Sequence, residues 1–94
     1  MNWKVTIKRS ILKEIKKLPI DVADKMGALV REIESFGPLR YNWKNFSKLK
    51  GRGDCYHCHI KSGRPTFVVC WEVTDKEIRI IEVYYAGTHE NAPY

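Results

Sequence analysis

Long hydrophobic runs are missing from this chain of 94 residues. A helix needs roughly 20 consecutive apolar residues to cross a bilayer, and no run approaches that length, so we expect no membrane partner. The N-terminal residues, Met1–Ile7, lack the apolar core of a signal peptide and pass directly into a strand-like alternation. The chain has three cysteines, Cys55, Cys58 and Cys70, so at least one would stay outside any disulfide. We expect all three to be reduced thiols. The sequence therefore predicts a cytoplasmic protein.

Several signatures of catalysis are missing as well. There is no phosphate-binding P-loop and no G-x-S-x-G nucleophile elbow. Five carboxylates of the C-terminal half are scattered over predicted turns and strand ends, at Asp54, Asp75, Glu77, Glu82 and Glu90. Because paired carboxylates usually hold the metal in metal-dependent phosphodiester chemistry, this scatter favours chemistry without a metal. We expect no cofactor.

One motif match is rejected on geometry. Cys55–His59 fits the haem-attachment pattern C-x-x-C-H, but the segment has the character of a strand, where residues three apart point to opposite faces. A zinc knuckle is disfavoured by the same strand geometry. In addition, no second Cys/His pair follows at ligand spacing. His57 and His59 share a face, about 6.6 Å apart along a strand. With a third ligand they could hold a metal, which is the minor alternative.

What the chain does contain is positive charge and enough apolar residues for one core. The apolar share is 44%, and 17 Lys and Arg oppose 11 Asp and Glu, for a net charge of +6. This charge favours a polyanionic partner, either nucleic acid or an acidic protein. The alternative is a charge that only keeps the protein soluble.

The order of predicted elements is β-α-α-β-β-β. A strand at 3–8 precedes a helix with Ser10 as its N-cap, and Pro19 ends that helix. A second helix runs from about residue 21 to Phe36, where Gly37 and Pro38 stop it. The connector 38–47 is aromatic, so its Trp43 and Phe46 are expected to pack on the core. Three strands complete the chain, predicted at Cys55–Lys61, Thr66–Val73 and Ile78–Tyr85.

These elements predict a single α+β domain spanning residues 1–94, with an antiparallel meander and an α-hairpin on one face. Strand alternation predicts that Tyr56, Cys58 and Ile60 face the helices, and that Cys55, His57, His59 and Lys61 face the open side. Val68 and Cys70 of the next strand also point to the open side. Basic residues in flanking turns border this face, at Lys48, Lys50, Arg52 and Arg64. A basic face bearing histidines suits RNA or DNA; the alternative is a merely solvated sheet face.

The C-terminal segment directs this expectation towards RNA cleavage. The last predicted strand delivers His89 to the sheet edge, followed by the terminal Tyr94. RNA carries its own nucleophile, the 2′-OH, so the protein need supply only a base, an acid and cations for the transition state. Histidine suits the proton transfers, and Arg or Lys suits the charge.

The chain resembles the RelE/ParE toxin superfamily of toxin–antitoxin systems. The resemblance covers nearly the whole length and rests on the element order, on Lys48–Gly51 preceding Asp54–Tyr56, on Trp71–Val73 and most of all on Gly87–Glu90. That C-terminal segment is similar to the YafQ-like branch. The resemblance implies a ribosome-dependent mRNA endoribonuclease that inhibits translation, with the ribosome, mRNA and an acidic antitoxin as partners.

The resemblance also implies roles for individual residues. His89 matches the general base, and His57 and His59 match strand positions that contact mRNA. Tyr94 lies where relatives often have a base-stacking or catalytic aromatic. The RNA-binding residues implied are the basic ones of the central turn and strand, Lys48, Lys50, Arg52 and Lys61.

One position departs from the pattern. Where RelE-type relatives carry a phosphate-contacting arginine on the third strand, this chain has Val68. Either Arg64 in the preceding turn substitutes from a distance, or the role is lost. Two alternatives therefore stay open: a ParE-like toxin that inhibits DNA gyrase by protein contact, and a nucleic-acid-binding relative with weak catalysis.

Overall fold

The structure is a computed structural model that describes residues 2–51 and 53–94. Arg52, predicted to bind RNA, lies outside the described residues. Five strands form one sheet in the order β1-β5-β4-β3-β2, and two helices pack on one of its faces. The strands are β1 Lys4–Ile7, β2 Ser47–Lys48, β3 Cys55–Lys61, β4 Phe67–Asp75 and β5 Ile80–Thr88, and the helices are α1 Leu12–Lys16 and α2 Ile20–Phe36. The predicted α+β architecture is confirmed.

The α2 helix begins and ends at the residues that favour these boundaries. Pro19 precedes its first residue, where the missing N–H of proline costs nothing, and Gly37 follows Phe36 with φ of 94°. Its buried residues fall at helical spacing on one face, at Val22, Met26, Leu29 and Ile33. This face packs on the sheet and forms the centre of the core with Trp71, Ile81 and Val83.

The predicted N-cap of the first helix is wrong. A 3-10 turn at Arg9–Ile11 follows β1, and Ser10 makes no capping hydrogen bond to α1. The backbone N–H of Ile11 donates to the carbonyl of Lys8, so the chain turns out of β1 before α1 begins. Of the apolar stripe predicted for this helix, Ile11, Ile15 and Leu18 pack on the core, whereas Leu12 is 44% exposed.

The sheet combines the predicted meander with two additions. β3, β4 and β5 are antiparallel neighbours, while β1 pairs with β5 in parallel. The connector supplies the unpredicted β2, which pairs with β3. Its aromatic residues Trp43 and Phe46 pack against the core, as predicted. Glu32 of α2 fixes the connector, because its Oε1 accepts hydrogen bonds from Arg40, Asn42 and Trp43 at 2.9–3.2 Å.

β5 starts and ends later than its sequence predicted. Asp75 Oδ1 accepts the backbone N–H groups of Glu77 and Ile78, which makes a turn that ends at Arg79 with φ of 57°. β5 then stays paired with β4 as far as Thr88, opposite Phe67. This extension carries the chain to His89, which begins a 3-10 turn ending at Asn91. Within the described residues, no helix is long and apolar enough to cross a membrane.

Candidate functional site

The sheet face away from the helices carries three rows of facing side chains. Cross-strand pairing aligns Cys55 with Glu72 and Glu82, His57 with Cys70 and Tyr85, and His59 with Val68 and Gly87. We call this the histidine face. The predicted alternation along β3 is confirmed, since Tyr56, Cys58 and Ile60 belong to the core on the other side.

The histidine face is less open than its sequence suggests. Val68 and Cys70 point to it as predicted, yet both are fully buried, and His57 is only 8% exposed. The C-terminal turn folds back over the middle row: the rings of Tyr94 and His57 lie 4.5 Å apart, centroid to centroid. Burial raises the pKa of the Tyr94 hydroxyl to about 12, with the thiol of Cys70 contributing. Tyr94 therefore keeps its proton at neutral pH.

Lys61 does not share the histidine face, which corrects the prediction. The β3–β4 register shifts between His59 and Lys61, so that Lys61 stands opposite Phe67 of the core side. Its Nζ pairs with the carboxylate of Asp21 in the first turn of α2. The bulge thus moves one predicted RNA-binding cation to the helix side of the sheet.

Two histidines and Arg64 line an open recess at the end of the histidine face. Its volume is about 500 Å³, and its walls are formed by His59, Gly63, Arg64, Pro65, Thr66, His89 and Glu90. The imidazole centroids of His59 and His89 are 5.5 Å apart and nearly perpendicular. Thr66 fixes the start of the C-terminal turn, because its carbonyl accepts the backbone N–H of His89 at 2.8 Å.

The surroundings of His57 and His59 lower the pKa of both imidazoles. Burial is the main cause that lowers the pKa of His57, and the neighbouring His59 and His89 lower it further. Burial also lowers the pKa of His59, followed by the charges of His89 and Lys44. Ser47 Oγ lies 3.1 Å from His57 Nδ1 and orients that ring.

The site residues predicted from the sequence thus fall into separate places. His57, His59, His89 and Tyr94 form one continuous group, since the rings of Tyr94 and His89 lie 6.0 Å apart. Arg64 faces the same recess. Lys48 lies elsewhere, on β2 opposite Tyr56 of β3. Its Nζ is 3.5 Å from Oδ1 of Asp54. Lys50 is exposed in the turn after β2.

Tyr85, Ser47 and Thr66 support the site, and sequence reasoning missed them. Ser47 and Tyr85 reach the histidine face only through strand pairing. Tyr85 and Gly87 are two residues apart on one strand and so share a face. This spacing was the sequence signal that the Tyr85 side chain could lie over the glycine. Among residues 2–51 and 53–94, no group of three or more His, Cys, Asp or Glu is arranged to hold a metal ion.

Comparison with solved structures gives this arrangement a known fold. E. coli toxin RelE, solved in the free state as a double mutant, is 23% identical with a TM-score of 0.75, over 96% of this chain and 86% of RelE. A chain of the archaeal RelE–RelB complex from Pyrococcus horikoshii is 18% identical with a TM-score of 0.70, over 98% and 100% of the two chains. The YoeB dimer from Staphylococcus aureus gives 17% and 0.68, over 95% and 99%.

The chain therefore has the RelE-like toxin fold, as the sequence motifs predicted. The likeness is one of fold, at identities of 17–23%. No protein-family model matches the sequence, and comparison with curated proteins finds no match.

Proposed function

We propose that this protein is the toxin of a type II toxin–antitoxin system and cleaves mRNA on the ribosome. The observation that carries the proposal is the recess in which His59, Arg64 and His89 converge. Two imidazoles 5.5 Å apart and a permanent cation supply the groups that RNA cleavage through the 2′-OH requires. A recess open to solvent suits a substrate strand, which must enter and leave along the surface.

In the proposed reaction His89 is the general base. It takes the proton of the 2′-OH while this oxygen attacks the adjacent phosphorus, forming a 2′,3′-cyclic phosphate. The bond from phosphorus to the 5′-oxygen breaks, and the imidazolium of His59 gives that oxygen its proton. Arg64 stabilises the charge that develops on the non-bridging oxygens. Its place in the turn before β4 lets it take over the role expected at Val68, which is fully buried.

His57 and Tyr94 support this pair without lining the recess. Tyr94 packs on His57 and edge-on to His89, so it limits the movement of the C-terminal turn. Its hydroxyl, with a pKa raised to about 12, is suited to donating a hydrogen bond and not to accepting a proton.

The test is cleavage of a reporter mRNA in a cell-free translation extract, mapped by primer extension. The parent should cut the translated message and halt synthesis. His89→Ala should lose at least a hundredfold of the rate, as expected for a missing general base. Lys25→Ala, on the exposed side of α2, is the matched control. Full cleavage by His89→Ala would remove the assigned role, and inhibition of gyrase supercoiling by the purified protein would favour the ParE-like alternative.

An acidic antitoxin is the partner we propose, and an exposed apolar patch supports it. Phe36 and Leu39 are 71% and 43% exposed and line a cavity of about 350 Å³ with Trp3 and Pro38. Tyr41, two residues further along the chain, is 77% exposed. Such patches mark protein contacts. RelE of E. coli and YoeB of S. aureus have each been solved in a toxin–antitoxin complex.

The antitoxin contact can be tested by co-expression with the neighbouring reading frame. Phe36→Ser and Tyr41→Ser should each weaken the complex at least tenfold. Ile20→Ser is the control, because Ile20 is 82% exposed on the first turn of α2, away from the patch. Equal effects of all three substitutions would place the contact elsewhere.

A further inference from the structure

The net positive charge of this protein is concentrated in one short segment. Residues 1–17 hold six of the 17 Lys and Arg but one of the 11 Asp and Glu, so they carry five of the six net charges. The remaining 77 residues are nearly neutral. The basic character that suggests a polyanionic partner therefore belongs to the region of β1 and α1, and not to the sheet face.

The α1 helix displays these charges on its outer side. Ile11, Ile15 and Leu18 pack on the core, and the cations occupy the opposite side. Arg9, Lys13, Lys16 and Lys17 are all exposed, and we call these four residues the α1 basic surface. Lys13 and Lys17 lie one helical turn apart and repel each other, so their clustering opposes folding. A charge needed only for solubility could be dispersed at no such cost.

Among the described residues these cations make no ion pairs, unlike Lys48, Lys61 and Lys76. Lys61 pairs with Asp21, and Lys48 and Lys76 both contact Asp54. In the part of the chain that the structure describes, no carboxylate lies within ion-pair distance of the α1 basic surface. The surface is therefore available to an external anion without breaking an internal pair.

The α1 basic surface adjoins the end of β5. Lys17 lines a cavity of about 420 Å³ together with Glu14 of α1, Thr88 at the end of β5 and Asn91 of the turn that begins at His89. A polyanion held along α1 would thus reach the turn that carries His89.

We propose that the α1 basic surface binds the phosphate backbone of folded RNA and holds the protein beside the strand it cleaves. The inference rests on the proposed action on RNA, and adds a second contact outside the recess. RNA is favoured over an acidic protein because the surface offers cations around a single half-exposed apolar side chain, Leu12. Protein partners need an apolar centre, which this molecule presents instead at Phe36 and Tyr41.

The experiment measures binding without cleavage. In the His89→Ala background, Lys13→Gln/Lys17→Gln is compared with Lys25→Gln/Arg31→Gln, which removes two charges from the exposed side of α2. Fluorescence anisotropy follows a labelled 20-base-pair RNA duplex and a single-stranded RNA from 50 to 200 mM KCl. Thermal unfolding checks that each variant is folded, as expected for exposed substitutions that reduce repulsion.

We expect the α1 variant to bind the duplex about tenfold more weakly at 100 mM KCl, with a salt slope smaller by about 1.8 for two lost phosphate contacts. The α2 variant should change affinity less than threefold. Equal losses in both variants would mean a general charge effect and overturn the proposal, as would loss confined to the single strand. Tighter binding of polyglutamate than of duplex RNA would assign the surface to an acidic protein. Cleavage is measured separately, with Lys13→Gln/Lys17→Gln in protein that retains His89. If this variant still cleaves mRNA, the proposed function stands whatever the binding measurement shows.

Discussion

The hydroxyl of Tyr85 donates a hydrogen bond to the carbonyl oxygen of Thr88 at 2.6 Å. To reach it, the phenol passes over Gly87, where a Cβ atom would lie 2.9 Å from the Tyr85 oxygen. Thr88 is the last residue of β5, and His89 follows it. The Gly87-Thr88-His89 segment thus has a physical basis, because glycine leaves room for the bond that sets the end of the strand.

Gly87→Ala should therefore break this bond and displace the turn that carries His89. We expect a loss of about 1–3 kcal/mol in the free energy of unfolding, as for other overpacked sites, and a cleavage rate reduced at least tenfold. Chemical denaturation measures the first and reporter cleavage the second. Tyr85→Phe should cost about 1 kcal/mol in the parent and less in the Gly87→Ala background. Additive costs in the double variant would show that the two residues act independently.

Acidification should destabilise the protein through His57 and His59. Both have a folded-state pKa below the ordinary value, mainly because of burial. Below pH ~6.5 the unfolded chain takes up protons that the folded protein does not, so the free energy of unfolding falls as the pH drops from about 7 to 5. Denaturation at pH 7.5, 6.5 and 5.5 measures this, and His57→Gln should reduce the slope. A stability that rises over this range would contradict the assignment.

The sequence predicted most of the sheet because strand alternation is a local property. Cys55–Lys61 matches β3 residue for residue, and His57 and His59 lie on the predicted face. The burial of that face depends on Tyr94, which contacts His57 from 37 positions away along the chain. No local pattern reports such a contact. Lys61 was misplaced because a one-residue bulge reverses the side to which every following side chain points.

The cleavage rate should depend on pH in a way that separates the two recess histidines. Because burial lowers the pKa of His59, its imidazolium is a stronger acid, present in a smaller fraction at pH 7. Cleavage should therefore increase on mild acidification from pH 7. His59→Gln should reduce the rate at least tenfold and remove the limb that falls as the pH rises. Single-turnover cleavage between pH 5 and 8.5 tests this. An unchanged limb in His59→Gln would assign the acid to another group.

Glu32 should be worth more to stability than its half-buried position on α2 suggests. One carboxylate oxygen accepts hydrogen bonds from Arg40, Asn42 and Trp43, and these bonds lower the pKa of Glu32. They fix the connector that precedes β2 and thereby Ser47 beside His57. Glu32→Ala should lower the free energy of unfolding by about 1–3 kcal/mol, since it leaves Arg40 and Trp43 without their acceptor. Glu34→Ala, two residues along the same helix, should stay within about 0.5 kcal/mol of the parent. Equal effects of the two substitutions would reduce the role of Glu32 to helix propensity, whereas a selective loss accompanied by a shifted His57 resonance would tie the connector to the site.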